Sequence, residues 1–257
     1  MSNFIVDPYR FVSELPFSGD DDLKAYFKFN ESSGSIINVS ESSDTLGTGV
    51  NMTMDGGNYD VATTPSDIGT GVTFDGIEDF GICGTSTSAF NFMHNTSALW
   101  TLVWWMRLNE IGSDDTFLAT KINNDGGTAG YSIRLQTNNK ISTYILNGTN
   151  AVLNTNSSAD FIPDDTDWYF YTMSYDQSES DENLVRRRNN SNEETADKTA
   201  NTPSDSNAGY PQNMAKRPDL SGDFGDFSVA ELSQWNKVVS DEDQTALYNN
   251  GQGREIY

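Results

Sequence analysis

Two residue types that carry much of enzyme and metal chemistry are almost missing: the 257-residue chain has one cysteine, Cys83, and one histidine, His94. A single cysteine forbids an internal disulfide and any multi-cysteine metal site, and beside Ile82 it reads as a small buried hydrophobe rather than a reactive thiol. A single histidine, between Met93 and Asn95 in a loop, leaves one place where a Ser-His-Asp array could be built. Basic side chains are scarce too. Fifteen Lys and Arg face 38 Asp and Glu, a net charge of −23, and a field of that sign excludes nucleic acid and anionic membrane as partners of the general surface. No apolar run approaches the roughly 20 residues of a membrane span. A Gly-rich phosphate cradle is lacking, because Gly56-Gly57 and Gly126-Gly127 open no helix. Residues 1–17 lack the basic start and unbroken apolar core of a secretory signal and carry Asp7, Pro8, Arg10 and Glu14 instead. The Asn-x-Ser/Thr triplets at 38–40 and 147–149 are accordingly read as chance in an Asn-rich and Ser-rich chain.

What is present is a set of alternating apolar stretches, dominated by residues 99–108, Leu-Trp-Thr-Leu-Val-Trp-Trp-Met-Arg-Leu. Trp100, Leu102, Trp104, Met106 and Leu108 fall on one face at a period of two, which predicts a strand with one face buried and the other partly covered. Three indoles bring more apolar area than one neighbour can bury, so a second sheet is expected across it.

Before this strand lies an arm over residues 1–20. Phe4, Ile5, Val6, Tyr9, Phe11, Val12, Leu15 and Phe17 are apolar, while Pro8 and Pro16 prevent a continuous helix or central strand. Such an arm is expected to dock on its own domain or on a neighbouring subunit. Residues 23–29 alternate as a half-exposed antiparallel strand. Residues 72–74 and 80–83, joined through Asp75-Gly76, suggest a hairpin-like pair. Further strands are expected at 117–122, 131–135, 141–146, 168–175, 184–188 and 227–235. The nearly apolar-free segment 189–213 reads as a long loop. Ser240 with Asp243 marks a helix start and Gly251 its end, with Ala246, Leu247 and Tyr248 facing in. Many strands and one small helix predict an all-β sandwich of two antiparallel sheets.

In order along the chain, the opening strand 23–30, GVTFDGIEDF at 71–80, LWTLVWWMRL, GYSIRLQTNNKIS at 130–142, DWYFYTMSYD at 167–176 and FSVAELSQWNKVVSDEDQTALYNNG at 227–251 resemble the laminin-G-like, concanavalin A-like jelly-roll family. The resemblance covers residues 21–257 as one domain. It implies a jelly-roll scaffold that mostly binds sugars, proteins or surfaces, some members through calcium, and that occurs in bacteriophage tail fibres and capsid decorations. Two departures stand out. Ala230 precedes Glu231 where many relatives carry Asp before Glu, and Leu184-Val185-Arg186-Arg187-Arg188-Asn189-Asn190 replaces an aliphatic-aromatic strand with a Gly-containing turn.

Functional expectations follow from these features. Oxygen ligands for calcium could come from Asp75, Glu78 and Asp79 or from Asp164, Asp165 and Asp167, although acidic turns are more often plain solvated turns. The Glu179 and Asp181 pair is the one Glu-x-Asp spacing that could suit a glycosidase, and it lies in a polar loop. Arg186, Arg187 and Arg188 read either as a charge-protected edge strand or as a docking edge for an acidic neighbour. The resulting expectation is a non-enzymatic virion structural protein, a capsid decoration or tail-fibre subunit, located in the virion. It would need no cofactor, and calcium remains open. Its partners would be identical subunits and other virion proteins, with host surface glycans on an outward face and no nucleic acid or membrane insertion. Phe4, Ile5, Tyr9, Phe11 and the three arginines would form the subunit interface of a homo-oligomer. The alternatives are a carbohydrate-binding lectin or adhesin, extracellular or at a cell surface, and a glycoside hydrolase on the same fold.

Overall fold

Alternation along the tryptophan-rich stretch organises the architecture, as a computed structural model of the chain shows. The structure describes residues 20–40, 50–59, 64–65, 68–110, 114–121, 127–163, 167–219 and 221–256. Its elements in order are β1 (Leu23–Phe27), β2 (Met52–Asp55), β3 (Val72–Asp75), β4 (Phe80–Cys83), β5 (Leu99–Glu110), β6 (Asp114–Ala119), β7 (Thr128–Gln136), β8 (Lys140–Gly148), β9 (Ala151–Asn156), β10 (Tyr169–Asp176), β11 (Leu184–Arg188), β12 (Ser191–Ala196), β13 (Gln212–Met214), β14 (Asp226–Trp235) and α1 (Asp241–Tyr248). One antiparallel sheet has the order β1-β14-β5-β10-β11-β12, with β3 also paired to β14. The other runs β2-β4-β13-β6-β7-β8-β9. The expected two-sheet sandwich with one short C-terminal helix is the observed fold.

The even positions of β5 point between the sheets. Trp100 and Trp104 are each 1% exposed, in one cluster with Phe117, Tyr131, Ile133 and Tyr171. The Trp104 ring lies 5.0 Å from Phe117 and 5.4 Å from Tyr171, so cross-strand and cross-sheet aromatic pairs lock the two layers together. The odd positions are buried as well. Val103 and Trp105 pack under α1 and the following tail, with Leu247, Val239 and Ile256, so the first sheet is covered on both faces. That cover also corrects the reading of β1 as half-exposed, since Tyr26 is fully buried beneath the tail.

Other elements depart from expectation for identifiable reasons. β3 and β4 are not a hairpin: β3 pairs with β14 in one sheet and β4 with β2 and β13 in the other. The Asp75 carboxylate accepts backbone N–H bonds from Ile77, Glu78 and Asp79 at 2.9, 2.9 and 3.1 Å, shaping a turn that carries the chain between sheets. The segment read as a long loop contains β12 and leads into β13, which sits between β4 and β6. The expected 117–122 strand is Asp114–Ala119, and β9 was not expected at all. Ser240 caps α1 by accepting from the Asp243 N–H, as expected. The helix ends at Asn249, in the left-handed region at φ 47°, rather than at Gly251.

Candidate binding site

Strand register gathers acids that lie far apart in sequence. Asp226, the first residue of β14, sits opposite Asp75 at the end of β3 on one side and opposite Glu110 at the end of β5 on the other. Directly opposed residues hold their Cβ atoms about 4.5–5.5 Å apart, which sets Asp75 beside Asp226; the pairing with β5 is irregular between Asp226 and Phe227 and brings Glu110 to the same end of the first sheet. Asp115 of β6 joins them from the other sheet, and together with Gly76, Ile77 and Phe224 they line a hollow of about 420 Å³. That volume is within the range of small-ligand sites.

Local sequence explains each part. Gly76 turns at φ +69° against Asp226, where an added Cβ would lie 2.8 Å from the Asp226 Cβ. Ile77, pushed outward by that turn, is 73% exposed, the most exposed of the large apolar residues described. Asn109 donates its side-chain N–H to Asp226 at 2.9 Å, fixing that carboxylate. Phe224 is held from behind by the Lys216 ammonium, 4.4 Å from its ring centroid and 4.3 Å from that of Phe80. Partial burial pushes the Asp75 carboxyl up, but the N–H donors of Glu78, Ile77 and Asp79 outweigh it and hold the group below the usual carboxylate range. The hollow therefore offers hydrogen-bond acceptors beside two apolar side chains.

The calcium expectation meets this turn directly. The Asp75 Oδ1 atom already accepts three backbone donors. Among the described residues, no three His, Cys, Asp or Glu side chains are placed to hold a metal ion. Asp164 and Asp165 lie outside the described residues.

The arginines were expected on an edge, and this is corrected: β12 pairs along the outer side of β11. Arg186 points between the sheets, 1% exposed, and donates to Thr143 Oγ1 at 3.3 Å and the Thr155 carbonyl at 3.2 Å. Burial lowers its pKa to about 10. Arg187 turns to the other face and pairs with Glu193 and Asp241, both at 2.6 Å. Arg188 donates to the carbonyls of Asp160 and Phe161 at 3.0 and 2.7 Å. Phe4, Ile5, Tyr9 and Phe11 lie outside the described residues.

Remaining candidates are separated from one another. His94 is fully buried, its Nε2 3.1 Å from the Ser206 carbonyl, and burial lowers its pKa despite that bond. Cys83 is buried and its thiol is pushed up to about 12. Glu179 and Asp181 are on an exposed loop. The titratable group that sequence reasoning undervalued is Glu231. It is 5% exposed, sits in a β14 bulge at φ +54°, and accepts a hydrogen bond from the Tyr26 hydroxyl. Desolvation, opposed by the Tyr26 bond, pushes it up to about 8. The break in alternation at Glu231 was the available signal.

No protein-family model matches the chain, and no curated protein sequence does either. Solved structures do resemble it. A Trypanosoma rangeli sialidase in complex with sialic acid superposes with a TM-score of 0.56 at 11% identity over 90% of this chain and 34% of that one. The binding domain of botulinum neurotoxin DC in complex with SialylT gives 0.58 at 14% identity over 89% and 51%. The receptor-binding domain of botulinum neurotoxin mosaic serotype C/D gives 0.57 at 12% identity over 91% and 52%. The chain thus spans about a third of the sialidase and about half of the toxin chains. At these identities the likeness is one of β-sandwich fold.

Proposed function

We propose that the chain is a non-enzymatic recognition module that takes a neutral glycan in the hollow between Ile77 and the carboxylates of Asp75, Asp226 and Glu110. The observation that carries this reading is the gathering of Asp75, Glu110, Asp115 and Asp226 around one hollow beside an exposed Ile77. A sugar ring presents hydroxyl donors on its rim and C–H groups on its faces, and the hollow supplies acceptors and apolar contact to match. The structural neighbours were solved with sialic acid and SialylT, which supports the glycan class. The four carboxylates here disfavour an anionic sugar, so the ligand is uncharged.

A hydrolase would need a raised acid near a second carboxylate with room for a sugar. Glu231 is raised, yet the void beside it is only about 10 Å³, lined by Val103, Trp105, Phe170 and Leu247. The virion-subunit reading draws support from the sequence resemblance alone, since the arm is outside the described residues, Arg186 is buried between the sheets, and Arg187 and Arg188 bond within the chain. A glycan array probed with the full chain tests the proposal. Binding to neutral glycans over their sialylated counterparts is expected; preference for sialylated glycans, or binding to none, overturns it.

A further inference from the structure

The Glu231 carboxyl is a buried acid with an arrangement the binding reading does not use. Its side chain projects from the β14 bulge onto the outer face of the first sheet, beneath the segment that follows α1. Tyr26 connects it to that segment: the hydroxyl donates to Glu231 Oε2 and accepts the Ile256 N–H at 3.2 Å. The other carboxyl oxygen, Oε1, is buried and makes no hydrogen bond. A residue other than glycine at φ +54° stores backbone strain, which persists only where the surroundings hold it.

Other contacts hold the tail as well: the Gly253 N–H donates to the Tyr248 carbonyl at 3.2 Å, and Ile256 is 2% exposed in the cluster with Tyr26 and Trp105. Lys28 pairs with Glu255 at 2.8 Å, and the Asn249 amide donates to the Gly253 carbonyl at 2.9 Å. Gly253 lies so close to Ile68 and Trp105 that an added Cβ would come within 2.6 Å of the Ile68 side chain. The groups facing Glu231 are Tyr26 and Lys28 from β1 and its continuation, Glu255 and Arg254 from the tail, and Ser233 from β14; β5, β10 and α1 contribute only Val103, Trp105, Phe170 and Leu247.

We propose that Glu231 and Tyr26 form a proton-held latch: the neutral acid keeps residues 253–256 seated over Trp105, and loss of its proton lifts them. An ionised Glu231 gains from the Tyr26 donor and from Lys28, but the cost of holding a charge in this apolar enclosure beside Glu255 is larger, and opening the tail admits water to both carboxyl oxygens. The device goes beyond the glycan reading and lies on a different part of the molecule.

Amide hydrogen exchange of Gly253 and Ile256, whose N–H groups bond to the Tyr248 carbonyl and the Tyr26 hydroxyl, reads the latch in the full chain when expressed as protection relative to an unstructured peptide. Protection is expected to fall by about tenfold or more as pH rises through about 8. Glu231→Gln, which keeps the shape and has no proton to lose, should remove the step. Tyr26→Phe should bring protection at about pH 6 down to the alkaline level of the unmodified chain, and it decides the matter if the Gln variant fails to fold. A flat profile in the unmodified chain, the same step in Glu231→Gln, or undiminished protection in Tyr26→Phe overturns the proposal.

Discussion

Arg186 shows how little a charge in the sequence says about its surroundings. It lies between Val185 and Arg187 in a basic run, yet the period of two sends it into the sandwich and its neighbour Arg187 to the opposite face. A threonine hydroxyl and a main-chain carbonyl accept from one of the terminal nitrogens of Arg186 while its buried Nε has no hydrogen-bond partner, and its lowered pKa reflects that burial. Trp104 is the opposite case, a residue whose role follows from size and position. Trp104→Ala should lower unfolding free energy by about 3–5 kcal/mol, read as a shift in the urea midpoint. Glu231 makes a pH prediction of definite sign. Its folded pKa of about 8 lies above the ordinary 4.5, so the unfolded chain gives up the proton first. Stability from this group is therefore greatest below about pH 4.5 and falls as pH climbs to about 8, by up to roughly 1.4 kcal/mol per pH unit. Urea titrations of the unmodified chain and Glu231→Gln should converge on the acid side and diverge toward pH 8, with the variant the more stable.

Among elements, β14 does the most to place the site. Its bulge between Ala230 and Ser233 lets one edge take β3 along residues 226–229 and β1 along residues 232–235, while the other edge pairs with β5. The acids gather because β3 and β5 both end where β14 begins. Replacing the α1 cap, Ser240→Ala, should cost about 1 kcal/mol, seen as a lower thermal midpoint. The central strand, the closing strand and the helix start were legible because apolar alternation and a capping serine are local signals. β12 was not: Ser191-Asn192-Glu193-Glu194-Thr195-Ala196 is exposed and polar, and only pairing with β11 makes it a strand. The β3–β4 crossover was hidden because Asp75-Gly76 suits a hairpin equally well, and its path depends on partners distant in sequence. The same distance hid the site, in which Asp75 alone had been singled out, as a calcium ligand.

At the scale of the whole molecule, two aromatic-rich layers close over each other, and the proposed binding hollow lies at strand ends outside that core. The chain as a whole carries a net charge of −23. A neutral ligand gains nothing from long-range attraction to it, so glycan affinity should change little between about 50 and 500 mM salt, whereas an anionic ligand would bind more tightly as salt screens the repulsion. The most direct measurement is calorimetric titration of the full chain with the neutral glycan favoured on the array, repeated with Ile77→Asp and with Asp226→Asn. The account predicts saturable binding by the unmodified chain that weakens at least about tenfold in each variant, about 1.4 kcal/mol, with unfolding midpoints little changed. Undiminished affinity in both variants would contradict it.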